Sequence, residues 1–300
     1  MKNKIEIVCG IDKNYVPHLA VMLTSLLATN PRHEFRVHIL HDAVPEDLRS
    51  RVTGSDRLEI VWHQVVDHAV LGFAQNLHIT RATYLRLIML EVLPPTLTRV
   101  LYLDVDMIVT GDIAPLWNMD LQGKICGCVV DPGVDPVVFA QKWHLKGEGL
   151  YFNAGVMLYD LDLLRAKPYL EDAITILANP DNVCKYGDQD ALNIVLWNNW
   201  FFMDPKWNFQ RRFLYDNYAA WKELKSVGGA PAIIHFTESE KPWKSSEWHP
   251  CRWLYLKSLL KTPFKNEVLK AGNISSLSLF KSRLKWQLKK PPMFHARKHI

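Results

Sequence analysis

The run LYLDVDMIVTGDI, residues 101–113, sets Asp104 and Asp106 one residue apart behind an apolar stretch built like a buried strand. An unpaired carboxylate in a core is very costly, so a cation is expected to meet these side chains. If the strand runs on through residue 106, its period of two turns Asp104 and Asp106 to one side and Val105 to the other. Two hard carboxylates at a strand's open end suit Mg2+ or Mn2+ held together with phosphate oxygens. D-x-D is a common spacing, and a solvated strand end or a nearby helix cap would also explain it. The apolar approach RVLYLDVDMIV favours the metal. Asp112, after Gly111, reads as a turn or helix start. His235 ends the apolar run PAIIHF, and by itself reads as a satisfied core histidine.

The elements that must position these residues alternate. Segments 5–10, 35–40, 58–65 and 99–106 read as strands; 15–30, 45–52 and 83–93 read as helices, the last stopped by Pro94-Pro95. Such alternation predicts an α/β fold, a mixed but mainly parallel sheet with helices on both faces. Ligands of such sheets bind outside the carboxyl ends of the strands, where Asp104 and Asp106 fall. Further on, 124–130, 155–160 and 232–236 read as strands, and 161–179, 188–199 and 253–260 as helices. No linker separates the halves. One catalytic domain, 1–264, is expected, with a helical extension over 265–300.

Composition narrows the class. The chain has 300 residues, 48% hydrophobic, enough for a large core. Its start, MKNKIEIVCG, lacks the pattern of a secretory signal, and no apolar run is long enough for a transmembrane helix. Five scattered cysteines, Cys9, Cys126, Cys128, Cys184 and Cys251, include a C-x-C but no second pair to complete a zinc site. Reduced thiols and a cytoplasmic protein are expected. Residues 265–300 carry nine Lys or Arg and one acid, Glu267, a balance of +8; the whole chain's +5 leaves −3 for residues 1–264. Within 273–294, Leu277, Phe280, Leu284 and Leu288 fall near one helical face, with Lys281, Arg283, Lys285, Lys289 and Lys290 around them. A basic amphipathic segment can lie on an anionic membrane, here the inner face of the cytoplasmic membrane. A solvated tail is the alternative. No motif for nucleic acid accompanies the charge.

The motifs taken together resemble retaining glycosyltransferase family 8, whose members use UDP-sugars and Mn2+ on a GT-A fold. The likeness runs in order to about residue 245. VCGIDKNY (8–15) resembles the strand and loop holding uracil and ribose, and HITRATYLRL (78–87) the segment bringing an arginine to the donor. The D-x-D strand follows. YFNAGVMLYD (151–160) is similar to F-N-[AS]-G-V, YGDQDALN (186–193) to D-Q-D-x-[LF]-N, and HFTESEKPW (235–243) to H-[FY]-x-G-x-x-K-P-W. Within the family the likeness is to bacterial lipopolysaccharide and lipooligosaccharide galactosyl- and glucosyltransferases, which also end in a basic tail.

The resemblance implies a role for each residue. Asp104, Asp106 and His235 would hold Mn2+ or Mg2+, and Lys241 would meet the diphosphate of a UDP-hexose. Gly10, Ile11, Asp12, Asn14 and Tyr15 would hold the nucleoside, though Asp12 also reads as a turn cap. Arg86, Val105, Asp131, Asn153, Ala154, Asp188 and Gln189 would complete the donor site, with Asp188 and Gln189 nearest the chemistry. Asp188 also reads as a helix cap. Retaining glycosidases use a carboxylate nucleophile, whereas Gln189 is an amide. Weak participation by Gln189, intervention by Asp188 and front-face attack by the acceptor all stay open, with the last favoured. The acceptor would be a glycan or glycolipid. In one departure, Glu238 stands where the family has glycine, and its charge would repel phosphate unless turned away. A degenerate, non-catalytic relative, a nucleotide-sugar binder or membrane adaptor, is the rival reading.

Overall fold

The computed structural model describes residues 4–73, 81–179, 181, 183–214, 230–239, 241–244 and 249–289. They fall into two compact units. One comprises the described residues of Met1–Val16, Arg32–Asp104 and Ala114–Asp204; the other comprises those of Pro17–Pro31, Val105–Ile113 and Pro205–Ile300.

The first unit is built on a seven-stranded sheet. Its strands are β1 (Ile5–Ile11), β2 (Phe35–His41), β3 (Leu58–Gln64), β4 (Arg99–Leu103), β6 (Cys126–Val130), β7 (Phe152–Asp160) and β8 (Trp200–Phe202), in the order β3-β2-β1-β4-β7-β6-β8. β3, β2, β1 and β4 run parallel, β7 is antiparallel to both neighbours, and β6 and β8 are parallel. The sheet is mixed and mainly parallel, as expected. The central strands are apolar nearly throughout, and β7 is buried from Phe152 to Tyr159, so both faces of the sheet are shielded from water. Leu85, Ile88, Ala191 and Leu192 pack with Tyr102, Met157 and Tyr159 in one core. The register between β6 and β7 slips at Cys128/Val129, a bulge that brings Val129 opposite Asn153.

The second unit has a three-stranded sheet, β5 (Met107–Val109), β10 (Ile233–His235) and β9 (Phe209–Gln210), in that order. The helix Val16–Thr29, all but its first residue in this unit, and Asn30 just after it hold the end of β5 and the segment that follows. Ser25 Oγ accepts from Val109 N at 3.0 Å, and Asn30 Oδ1 accepts from Ile113 N at 2.9 Å. The helices Arg252–Leu259, Lys265–Ala271 and Ser276–Lys289 complete it.

Three expectations need correction. The strand predicted over 99–106 stops at Leu103. Asp104 N makes the last rung, to Gly155 O at 2.8 Å, and the chain then joins a different sheet at Met107. Asp104, Val105 and Asp106 are therefore not strand residues, and strand alternation does not orient them. The helix predicted over 83–93 is broken into Arg81–Tyr84, a 3-10 turn Leu85–Ile88 and Met89–Val92. Four consecutive buried residues, Arg86 among them, cannot share one face of a continuous helix. The helix predicted over 161–179 is split into Leu161–Arg165 and Tyr169–Ala178 by Pro168.

Candidate active site

In the first unit, Arg86 is buried at the end of β4 and joins two acids. Its Nη2 lies 2.9 Å from Asp104 Oδ1 and its Nε 2.7 Å from Asp188 Oδ2, while Nη1 donates to the Ala154 carbonyl. Tyr102 Oη donates to Asp104 Oδ1 at 3.0 Å, and the Arg86 guanidinium stands 4.1 Å over the Tyr102 ring. Nε also donates to the Thr83 carbonyl at 3.2 Å, so the guanidinium ties two acids to the backbone at Thr83 and Ala154. Burial pushes the Asp188 carboxyl up to about 7, with Arg86 pulling the other way and Asp104 adding to the rise. Asp188 is the first residue of the helix Asp188–Val195 and does not cap it. The N-cap is Gly187, at φ +52°, a conformation glycine adopts without strain.

The next side chain, Gln189, sits in a saturated net. Its Nε2 donates to Asp131 Oδ2 at 3.1 Å and to Tyr151 Oη at 3.2 Å. Its Oε1 accepts from Asn153 Nδ2 at 3.1 Å and from Ala154 N at 3.0 Å. Asn153 Nδ2 also reaches Asp131 Oδ2 at 3.2 Å, and Asp131 Oδ1 accepts from Gly133 N at 2.8 Å. Arg86, Asp104, Asp188, Gln189, Asp131, Asn153 and Ala154 are thus brought together by contacts within one unit.

The turn after β1 is held locally. Asp12 Oδ1 accepts from Asn14 N at 2.7 Å and Tyr15 N at 3.2 Å, so the cap reading of Asp12 holds. Burial raises its carboxyl, against those two backbone bonds. Ile11 is fully buried, leaving its backbone as the group a ligand could meet. Gly10 lies against the chain at Ala82, where an added Cβ would stand 2.7 Å from the carbonyl oxygen. His78, Ile79 and Thr80 of the arginine-bearing motif lie outside the described residues.

In the second unit, Asp106 lies between His235 and Lys241. Its Oδ1 is 3.2 Å from His235 Nε2, and its Oδ2 accepts from Lys241 Nζ at 2.7 Å. Burial alone would raise the Asp106 carboxyl, but the Lys241 ammonium beside it holds it well below the usual carboxylate range. Lys241 also donates to the Phe236 carbonyl. β10 pairs with β5, setting His235 opposite Met107, and Phe236 N donates to Asp106 O at 3.0 Å. Trp243 stacks on His18 at 3.6 Å between ring centroids, and Arg252 donates to the carbonyls of Pro242 and Lys244. The lysine loop is therefore tied to two helices of its own unit. Glu238 pairs with Arg211 at 3.0 Å.

Several residues were not singled out from the sequence. Asp190 accepts from Tyr151 Oη and from Lys185 N and Tyr186 N; Asn193 bonds both the N–H and the carbonyl of Phe152, at 2.8 and 2.9 Å. Both lie inside YGDQDALN, so the motif contained the signal. Tyr102, two residues before Asp104, was readable as a same-side strand neighbour. Asn208 and Arg211 carried no signal, since their partners are distant in sequence.

The family model described as Glycosyl transferase family 8 matches residues 6–247, and the chain belongs to that family. It is a glycosyltransferase. Among its relatives, general stress protein A of Bacillus subtilis (strain 168) is 29% identical over 83% of this chain and 90% of its own. Lipopolysaccharide 1,2-glucosyltransferase of Escherichia coli (strain K12) is 27% identical over 94% of this chain and 84% of its own. A crystal structure of the galactosyltransferase LgtC, in complex with donor and acceptor sugar analogues, covers 89% of this chain with all of its own, at a TM-score of 0.74 and 25% identity. The fold is the GT-A fold that the resemblance implied.

Proposed function

We propose that the chain transfers a hexose, galactose or glucose, from UDP to a glycan acceptor with retention of anomeric configuration. The acceptor we infer is lipopolysaccharide core or another lipid-linked oligosaccharide. The names of its relatives, the E. coli glucosyltransferase and LgtC, support both donor and acceptor. The observation that carries the reading is Asp106 held between His235 and Lys241: a carboxylate, an imidazole and an ammonium meet, the types of group that a diphosphate and its cation would require. Family 8 enzymes take nucleotide-sugar donors and a divalent metal. Asp104, Asp106 and His235 supply two hard carboxylates and an imidazole, a donor set that fits Mn2+ or Mg2+. A cation held there would offset charge on the departing diphosphate.

In this reading Lys241 moves from Asp106 to a phosphate oxygen of the donor. Asp131, Asn153 and Asp188 orient the sugar hydroxyls, Arg86 fixes Asp104 and Asp188, and Gly10, Ile11, Asp12, Asn14 and Tyr15 hold the nucleoside. The anomeric carbon–oxygen bond to UDP breaks as the acceptor oxygen bonds to the same face, and the acceptor proton passes to the leaving phosphate oxygen. The saturated amide of Gln189 supports this route over a Gln189 nucleophile, because both lone pairs of Oε1 already accept hydrogen bonds. The pairing of Glu238 with Arg211 weakens the rival reading of a degenerate binder. UDP release with Mn2+ across UDP-galactose, UDP-glucose and UDP-N-acetylglucosamine tests the proposal. A hexose donor should turn over, and no release with any donor, acceptor present, would sink it.

The C-terminal helix is the proposed membrane contact, placing the enzyme on the cytoplasmic face. On Ser276–Lys289, Leu277, Phe280, Leu284 and Leu288 are 60, 61, 41 and 72% exposed, an apolar stripe open to solvent beside Lys281, Arg283 and Lys285. The side chain of Lys289 and residues 290–300 lie outside the described residues, and no described helix is long and apolar enough to cross a membrane. Deleting 273–300 should abolish cosedimentation with anionic vesicles. Equal pelleting of both forms would remove the claim.

A further inference from the structure

We infer that Asn208 is a positioning residue that fixes which nitrogen of His235 is offered to the cation, an inference that rests on the metal reading above. A neutral imidazole has one N–H and one lone pair, and the partner of one nitrogen decides the state of the other. His235 Nδ1 lies 2.9 Å from Asn208 Oδ1, an oxygen that can only accept, so Nδ1 carries the hydrogen. Nε2 keeps its lone pair, and it is Nε2 that stands 3.2 Å from Asp106 Oδ1. A lone pair facing a carboxylate oxygen is an arrangement that a cation between them satisfies. Ligating histidines are oriented in this way by acceptors on their other nitrogen.

The backbone around Asn208 is built to hold that amide. Asn208 is fully buried in the stretch PKWNFQ, where both sequence neighbours, Trp207 and Phe209, are buried apolar residues. A polar side chain in such a stretch requires a partner. Its N–H donates to Pro205 O at 3.2 Å, and Ala232 N donates to Lys206 O at 2.8 Å, fastening the turn Pro205–Trp207 to the chain entering β10. β9 then runs parallel to β10 with Gln210 opposite His235.

The test uses the full chain and Mn2+ alone, by calorimetry, for wild type, His235→Ala, Asn208→Leu and Asn208→Asp. Asn208→Leu, close in size but with no acceptor, should weaken Mn2+ binding about 10- to 100-fold. Asn208→Asp keeps the acceptor oxygen and should bind Mn2+ like wild type. Nitrogen NMR of wild type labelled at histidine adds a readout that needs no variant to fold: His235 should show hydrogen on Nδ1 and none on Nε2. Hydrogen on Nε2 instead would overturn the inference. So would wild-type affinity in Asn208→Leu when His235→Ala binds weakly, an outcome that leaves the metal reading standing. Equal Mn2+ binding by wild type and His235→Ala would sink the metal reading, and this inference with it.

Discussion

The two units hold their candidate residues by different physics. In the first, Gln189, Asp131 and Asn153 are fixed by short, directional hydrogen bonds in which each amide group has a partner. In the second, Asp106 has an imidazole 3.2 Å from one oxygen and a charge-assisted hydrogen bond from the Lys241 ammonium on the other. A net in which amides share one carboxylate and saturate each other is rigid, which would suit the recognition of sugar hydroxyls. An ionic cluster bears a desolvation cost and can exchange partners, which suits a place where a diphosphate arrives and leaves. On the proposed function, the sugar side would be set in advance and the phosphate side balanced for replacement.

Removing one of the proposed metal-binding carboxylates should have the largest effect. Asp104→Asn or Asp106→Asn removes charge aimed at the leaving group, and UDP release should fall ~10²-fold or more. The far-ultraviolet spectrum should not change. Full activity of wild type in excess chelator would refute the metal assignment.

Gln189→Ala probes the neutral net and should act on stability as well as rate. It leaves Asp131, Tyr151, Asn153 and the Ala154 N–H each short of a partner. A loss of about 2–4 kcal/mol in urea unfolding is expected, from roughly 1–3 kcal/mol for each buried group left unsatisfied and partial relaxation. If activity vanished while the unfolding midpoint stayed fixed, Gln189 would be chemical rather than positional, and front-face attack would lose its support.

Asp188 gives a prediction in pH, because burial raises its carboxyl from the ordinary 3.8 to about 7. A group whose pKa is raised by folding contributes stability that is complete below its unfolded pKa and is lost as pH rises through the folded one. Wild type should therefore lose ground to Asp188→Asn between about pH 4 and pH 8, by on the order of 1–3 kcal/mol. Urea midpoints of both proteins at pH 5 and pH 8 measure this. A wild-type advantage that grew with pH would mean that Arg86 keeps Asp188 ionised.

Much of the frame was legible because its signals are local. β1, β2 and the helix Val16–Thr29 stand within a residue or so of where apolar period and turn residues placed them. The break at Asp104 was not legible. Met107, Ile108 and Val109 are as apolar as Val100 and Leu101, and nothing in RVLYLDVDMIV marks a change of sheet. Arg86 was readable as a donor contact, yet apart from the local Thr83 carbonyl its partners are Asp104, Asp188 and Ala154, groups 18, 102 and 68 residues away in sequence. Such pairings depend on which strands become neighbours, and local pattern does not encode that.

The smallest expected effect concerns Glu238, the acid standing where the family has glycine. Its carboxylate is 3.0 Å from Arg211 Nη1, and the two side chains are 30% and 22% exposed. A partly exposed pair of this kind is worth about 0.2–1 kcal/mol. Turned onto Arg211, Glu238 does not direct an uncompensated charge at a phosphate, so Glu238→Gly should change the donor KM less than ~3-fold, within what ~0.6 kcal/mol allows. Arg211→Ala should do more than Glu238→Gly, because it leaves the acid unpaired and free to repel the donor. Combining Glu238→Ala with Arg211→Ala should restore the donor KM toward wild type, giving a coupling of about 0.5 kcal/mol that fades in 1 M salt. If Glu238→Gly tightened donor binding tenfold, the acid would face the diphosphate in solution, and the second unit would carry an uncompensated charge as well as an exchangeable one. If it left the donor unaffected but slowed transfer to the glycan, Glu238 would belong to the acceptor.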